Sequence, residues 1–201
     1  MDGKPVLMAT TVGNGGVLGA AVRFFVNPRA SVRAVLDSRP SEGKILAFGM
    51  FAAIVLFARQ TADILSRPEL VSDQSELVMQ SFVSFAFFVP LAYYLVAAIG
   101  TMIAKACGGT GSWYEGRVAF FWAAFISAPV TLITGILPLL APTLPDSILI
   151  AIGQVGVFFF AWAVAQAFAE AFSFTRTWLV LIAVCSPAVL LFVIYIASIL
   201  L

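Results

Sequence analysis

The stretch KACGGTGSWYEGRVAFFWA, at 105–123, lies between two long apolar runs and gathers glycines with charged residues. Gly108, Gly109 and Gly111, near Lys105, Glu115 and Arg117, suggest a phosphate cradle, a catalytic turn or a hinge between membrane helices. A phosphate-binding P-loop requires G-x-x-x-x-G-K-[ST], and a dinucleotide loop requires G-x-G-x-x-G after a strand. The three glycines match neither spacing. Gly13, Gly15 and Gly16 fail as well, because Leu18 stands where the last glycine belongs. The hinge reading accounts for the residues better. The preceding helix is expected to end near Ala106, where glycine supplies the left-handed residue that closes it. Ser112, with Glu115 three positions on, has the pattern of a capping box. Trp113 and Tyr114 suit the headgroup level. Gly108, Gly109, Gly111 and Trp113 are therefore expected to form a hinge on the cytoplasmic side.

Other chemistry is thinly represented. The chain contains no histidine, which removes the commonest metal ligand and proton shuttle. Cys107 and Cys185 are far apart in sequence and make no metal-ligand or disulfide pattern. No two acids stand together at membrane depth, and no base accompanies a nucleophile. The expectation is a protein that is not an enzyme and has no cofactor, metal or nucleic-acid partner. Gln154 and Gln166 are the strongest polar groups in the fourth apolar run, and Gln166 shares a helix face with Glu170. Such amides commonly hydrogen-bond neighbouring helices; a pore or relay is the alternative. Ser81, Ser84, Thr101, Ser127, Thr131 and Thr134 are expected to act as the same interhelical glue. Arg176, close by in sequence, is the expected partner of Glu170.

These residues must be positioned by helices in a bilayer. Of 201 residues, 62% are hydrophobic and 10% charged, with mean hydropathy +1.05; a soluble domain carries about 25% charged residues. Five apolar runs predict spans at about 45–65, 77–104, 118–141, 148–169 and 178–201. The first has a strictly apolar portion of only 45–58, short of the ~20 residues that cross the hydrocarbon, so a re-entrant segment is its alternative. Pro90, Pro129 and Pro187 fall within spans and predict kinks. The fold class is therefore all-α: a polytopic bundle of five transmembrane helices at 45–201, preceded by a cytoplasmic segment at 1–44. The first 40 residues do not have the pattern of a signal peptide. Placing the N-terminus in the cytoplasm puts nine of the 11 basic residues inside, leaving Arg59 and Arg67 outside. The positive-inside rule then predicts a cytoplasmic N-terminus and an opposite C-terminus.

Before the first run, Asn27 is a good N-cap with Pro28 at the first helical position. The helix that follows stacks Arg29 and Arg33 on one side, with Val32, Val35 and Leu36 on another. It is expected to lie on the membrane surface, with Arg39 close behind, as a sensor of anionic lipid or an anchor for the first span. In the fourth run, Ala161, Ala165 and Ala169 form a row of small residues beside Gln166 and Glu170. That row is expected to pack against another helix or a partner protein. The spans show no internal repeat.

NPRASVRAVLDSRPSEGK leading into a first span, followed by YYLVAAIGTMIAKACGGTGSWYEGRVAFFWAAFISAPV, resembles the bacterial branch of the Yip1 family. The positions that carry the resemblance are Asn27, Pro28, Arg29, Gly108, Gly109, Gly111, Ser112, Trp113, Arg117, Trp122 and Pro129. The resemblance, over roughly residues 23 to 200, implies an integral membrane protein with a cytoplasmic N-terminus and five spans. Eukaryotic members are associated with Rab GTPases and vesicle traffic, and carry D-L-Y-G-P and G-Y motifs that are absent here, so Rab binding is not carried over. The expected function is a non-enzymatic inner-membrane protein that organises the bilayer or partner proteins, including itself. An accessory subunit of a larger membrane complex and a small-solute channel or permease are the alternatives.

Overall fold

The computed structural model describes residues 16–66, 74–141 and 143–184. Among these the chain is helical throughout, with short turns and no strand. Two short helices come first, α1 (Gly16–Val26) and α2 (Pro28–Asp37). Then follow α3 (Glu42–Ser66), α4 (Gln74–Val83), α5 (Val89–Ala106), α6 (Trp113–Leu140) and α7 (Asp146–Ala171). A last helical segment, α8, covers 177–184. The part of the fifth expected span beyond 184, with Cys185 and Pro187, lies outside the described residues.

Among the described residues, four helical stretches are long and apolar enough to cross a membrane: Glu42–Ser66, Gln74–Ala106, Trp113–Leu140 and Ser147–Ala171. The first expected span thus gains its length at both ends. Its helix takes in Glu42, Gly43 and Lys44 and runs past Arg59 and Asp63 to Ser66, 25 residues in all. At 1.5 Å per residue that is roughly 37 Å, enough to cross about 30 Å of hydrocarbon. In the second span, a five-residue π-helical turn, Ser84–Phe88, joins α4 to α5. Pro90 explains it: proline has no N–H to give to the carbonyl one turn back, and a wider turn takes up the mismatch. Pro129 and Pro138, in contrast, lie inside a helix that continues through both.

The sequence dictates which helix is central. WYEGRVAFFWAAFISAPVTLITGILPLL is apolar almost all round, and a helix of that kind is buried by its neighbours. α6 packs against α3 on one side and α7 on the other, with α5 also touching it. Phe121 and Trp122 are fully buried there. The α4–α5 helix is peripheral and leaves most of its surface outward. Thr101, Ser127 and Thr134 were expected to bond neighbouring helices. Instead each donates to a carbonyl of its own helix, Ala97, Ala123 and Val130 respectively. Within a span the preceding turn offers the nearest acceptor, so the hydroxyl is satisfied locally.

The chain alternates direction through α3, α4–α5, α6 and α7. As a result Glu42, Lys105, Arg117 and Glu170 gather at one end of the bundle, called here the basic end.

Candidate functional site

Polar residues at the basic end clamp α2 to the bundle, and others tie α6 to the segment that opens α3. Asn27 caps this helix, its side-chain oxygen accepting from the Ala30 amide at 3.1 Å. Its apolar residues Val32, Val35 and Leu36 are buried against the bundle. Arg29 donates to the Phe174 carbonyl at 2.8 Å and to the Thr177 hydroxyl at 2.6 Å. Arg33 pairs with Glu170 at 2.7 Å. Glu170 therefore takes its partner from α2, not from Arg176 as expected. Amphipathic spacing identifies a polar face but does not say which distant element meets it.

The deepest member of the clamp is a hydrogen-bonded pair that sequence reasoning did not single out. The Trp122 indole N–H donates to the Ser31 hydroxyl at 3.3 Å, and that hydroxyl donates to the Ala20 carbonyl at 2.7 Å. Both side chains are fully buried. A buried indole N–H needs an acceptor, and a tryptophan inside a span is the signal that could have prompted a search for one. The ties between α6 and the segment that opens α3 are more exposed. Arg117 pairs with Glu42 at 2.6 Å, and the Tyr114 hydroxyl donates to the Pro40 carbonyl at 2.7 Å. Arg39 lies just past the end of α2 in the left-handed region, φ 44°, beside an open cleft with Glu42 and Glu115.

The glycine hinge is built as its residue types require. Gly108 has φ +86°. The Gly109 amide reaches back to the Ala104 carbonyl and the Gly108 amide to that of Lys105, the paired bonds of a Schellman motif. The capping box is complete, with Ser112 and Glu115 each accepting from the other's backbone amide. Gly109 and Gly111 allow the close approach of Phe172, whose side chain would collide with a Cβ at either position, as would the Ala104 carbonyl at Gly109 and the Ala171 carbonyl at Gly111. The turn after α7 is a second Schellman motif. Its amides at Ser173 and Phe174 bond the carbonyls of Glu170 and Ala169, with Ser173 at φ 60°. The Thr110 amide bonds the Phe172 carbonyl at 3.3 Å, so the two turns rest on each other. Trp113 is half-exposed at the rim, with the Lys105 ammonium over its ring at 5.9 Å.

Of the expected packing face, Ala165 and Ala169 are completely buried within the chain itself, and Ala161 and Gln166 are partly buried. Gln154 is exposed. Among the described residues no group of three metal-ligating side chains comes together.

α1 was not recognised from the sequence. It is an apolar helix whose Phe24 meets Trp162 edge-to-face at 5.6 Å, and whose Phe25 stacks on Phe159 at 5.7 Å. These partners lie roughly 14 and 18 Å back from the end of α7 at 1.5 Å per residue. α1 thus meets the flank of a spanning helix through Phe24 and Phe25 near its C-terminal end, while Leu18 (75% exposed), Val22 (69%) and Val26 (86%) face outward.

The arrangement of long apolar helices, glycine hinge and N-terminal hairpin can be set against known families. The Yip1 domain model matches residues 22–199. The chain belongs to the Yip1 domain family. The match takes in the last five residues of α1 and the whole of α2. No curated protein and no solved structure is significantly similar to this Yip1 chain.

Proposed function

We propose that this Yip1-domain protein is a non-catalytic organiser of the membrane, acting through its N-terminal hairpin on lipids or on membrane proteins that share its bilayer. In this reading it resides in a bacterial inner membrane with its basic end toward the cytoplasm, as the distribution of lysine and arginine favours. The observation that supports it is the contrast within the hairpin. α2 is fixed to the bundle by Arg29, Ser31 and Arg33, while α1 turns a continuous apolar stripe of Leu18, Val22 and Val26 outward. A helix so placed sits in one leaflet and displaces lipid there without crossing to the other.

The test is reconstitution of the full chain into vesicles at fixed protein-to-lipid ratio, beside a variant carrying Leu18→Lys and Val22→Lys. Wild-type protein is expected to shift the vesicle size distribution or recruit a membrane partner, and the variant to lose that effect while still inserting. Equal behaviour of the two proteins rejects the reading.

The accessory-subunit reading also draws on a specific observation. The α4–α5 helix exposes Phe82, Phe87, Phe88, Leu91 and Leu95, an apolar face wide enough for another transmembrane helix. Purification from native membranes in polymer discs, followed by particle mass, separates the readings: a second protein at fixed stoichiometry favours the subunit. Gln154 and Gln166, which motivated a channel, line neither the crevice between α5 and α8 nor the cleft beside Arg39.

A further inference from the structure

At the basic end, α5, α6, α7 and α8 enclose a crevice of about 570 Å³. Its walls are apolar, among them Ile99, Ile103, Phe168 and Val180. Cys107 and Arg176 border it where the helices end. From Cys107 back to Val96 the α5 wall extends roughly 16 Å at 1.5 Å per residue. That is about half of the ~30 Å hydrocarbon thickness, so the crevice is as deep as one leaflet. Ile99, Ile103 and Leu179 on its walls are themselves between 43% and 47% exposed, which leaves the space open to lipid along its length.

Arg176 is the other half of the argument. Arg29, Arg33 and Arg117 are each held by a protein acceptor. The Arg176 side chain is exposed and makes no ion pair with any described carboxylate. It stands at the rim of an apolar slot at the level where the spanning helices end. An apolar slot of one-leaflet depth with a single uncommitted guanidinium at its mouth matches the chemistry of one molecule. We infer that the crevice binds an anionic phospholipid, with one acyl chain between α5 and α8 and the headgroup phosphate against Arg176. A guanidinium can hold phosphate oxygens with two parallel hydrogen bonds, and a space with almost wholly apolar walls favours an apolar occupant over water. This site is separate from the outward face of α1 and does not depend on the function proposed for it.

The test is native mass spectrometry of the full chain, released from micelles containing equal phosphatidylglycerol and phosphatidylethanolamine. Wild-type protein is expected to retain one phosphatidylglycerol in preference, by about fivefold for one basic residue near the headgroups. Arg176→Gln should abolish the preference and Arg176→Lys should keep most of it. Ile103→Trp, which fills the slot, should lower retention of both lipids. Arg176 is exposed, so its substitution leaves the helices intact even if Ile103→Trp fails to fold. An unchanged preference in Arg176→Gln overturns the assignment. Displacement of the lipid by soluble glycerol phosphate also overturns it, because the site would then recognise a free phosphate.

Discussion

α1 and α2 are neighbours in one hairpin, separated by a single residue, Asn27, yet they meet their surroundings in opposite ways. α2 carries the charges and turns its apolar residues inward, where Val32 and Leu36 join the core. α1 is the more apolar of the two and turns much of that surface outward, with only Phe24 fully buried. In water this distribution would be unfavourable, since exposed apolar stripes are normally covered. In a bilayer the outward face of α1 is solvated by lipid, and the polar face of α2 finds acceptors on α7 and the turn after it. The lesson is that amphipathicity measures contrast between faces, and the surrounding solvent decides which face turns in.

Four substitutions probe that difference. Trp122→Ala removes the side chain on which α2 is seated and leaves a cavity, and should cost about 3–5 kcal/mol in unfolding from mixed micelles. A loss under about 1 kcal/mol would mean that α2 is not part of the core. Ser31→Ala strips the acceptor from the Trp122 indole and the donor from the Ala20 carbonyl, with an expected loss of about 1–3 kcal/mol. Indole fluorescence of Trp122, with the other tryptophans replaced, should report the broken hydrogen bond. Ser173→Gly should raise stability by about 1 kcal/mol, because Ser173 sits in the left-handed region that glycine occupies freely. This change supports the seat of α2 through the Phe174 carbonyl without touching α1. Leu18→Gln should change stability by no more than about 0.5 kcal/mol, as for other outward positions. If it costs as much as Ser31→Ala, α1 has an inward face there and the contrast with α2 disappears.

Much of this architecture was legible in local signals. Asn27 and Pro28 start a helix wherever they occur with the right spacing, and the Ser112–Glu115 box and Gly108 do their work within a few residues of themselves. The described spans followed from the lengths of the apolar runs, although α3 needed Glu42 to Lys44 and the stretch through Arg59 to reach full length. The long-range pairings were not legible. Nothing local distinguishes Arg33 from Arg176 as the partner of Glu170, because either arginine could reach it from a flexible chain. α1 escaped notice because GVLGAAVRFFV is too short to span, and glycine-rich sequence precedes it. Its helicity rests on packing, against α2 and through Phe24 and Phe25 against α7, as that of short helices generally does. The alanine row was expected to pack against another helix or a partner protein; in the folded chain Ala165 and Ala169 are buried internally, which the row itself does not reveal.

The hairpin also has a consequence for the order of assembly. Arg29 bonds to residues 145 and 148 positions further along the chain. At about 5–20 residues per second, the ribosome supplies those partners roughly 7–30 s after it has made Arg29. The earliest described helices are therefore among the last to find their seat. During that interval the exposed arginines and apolar side chains of the nascent hairpin must be carried by something other than the fold, whether the membrane surface, the insertion machinery or a chaperone.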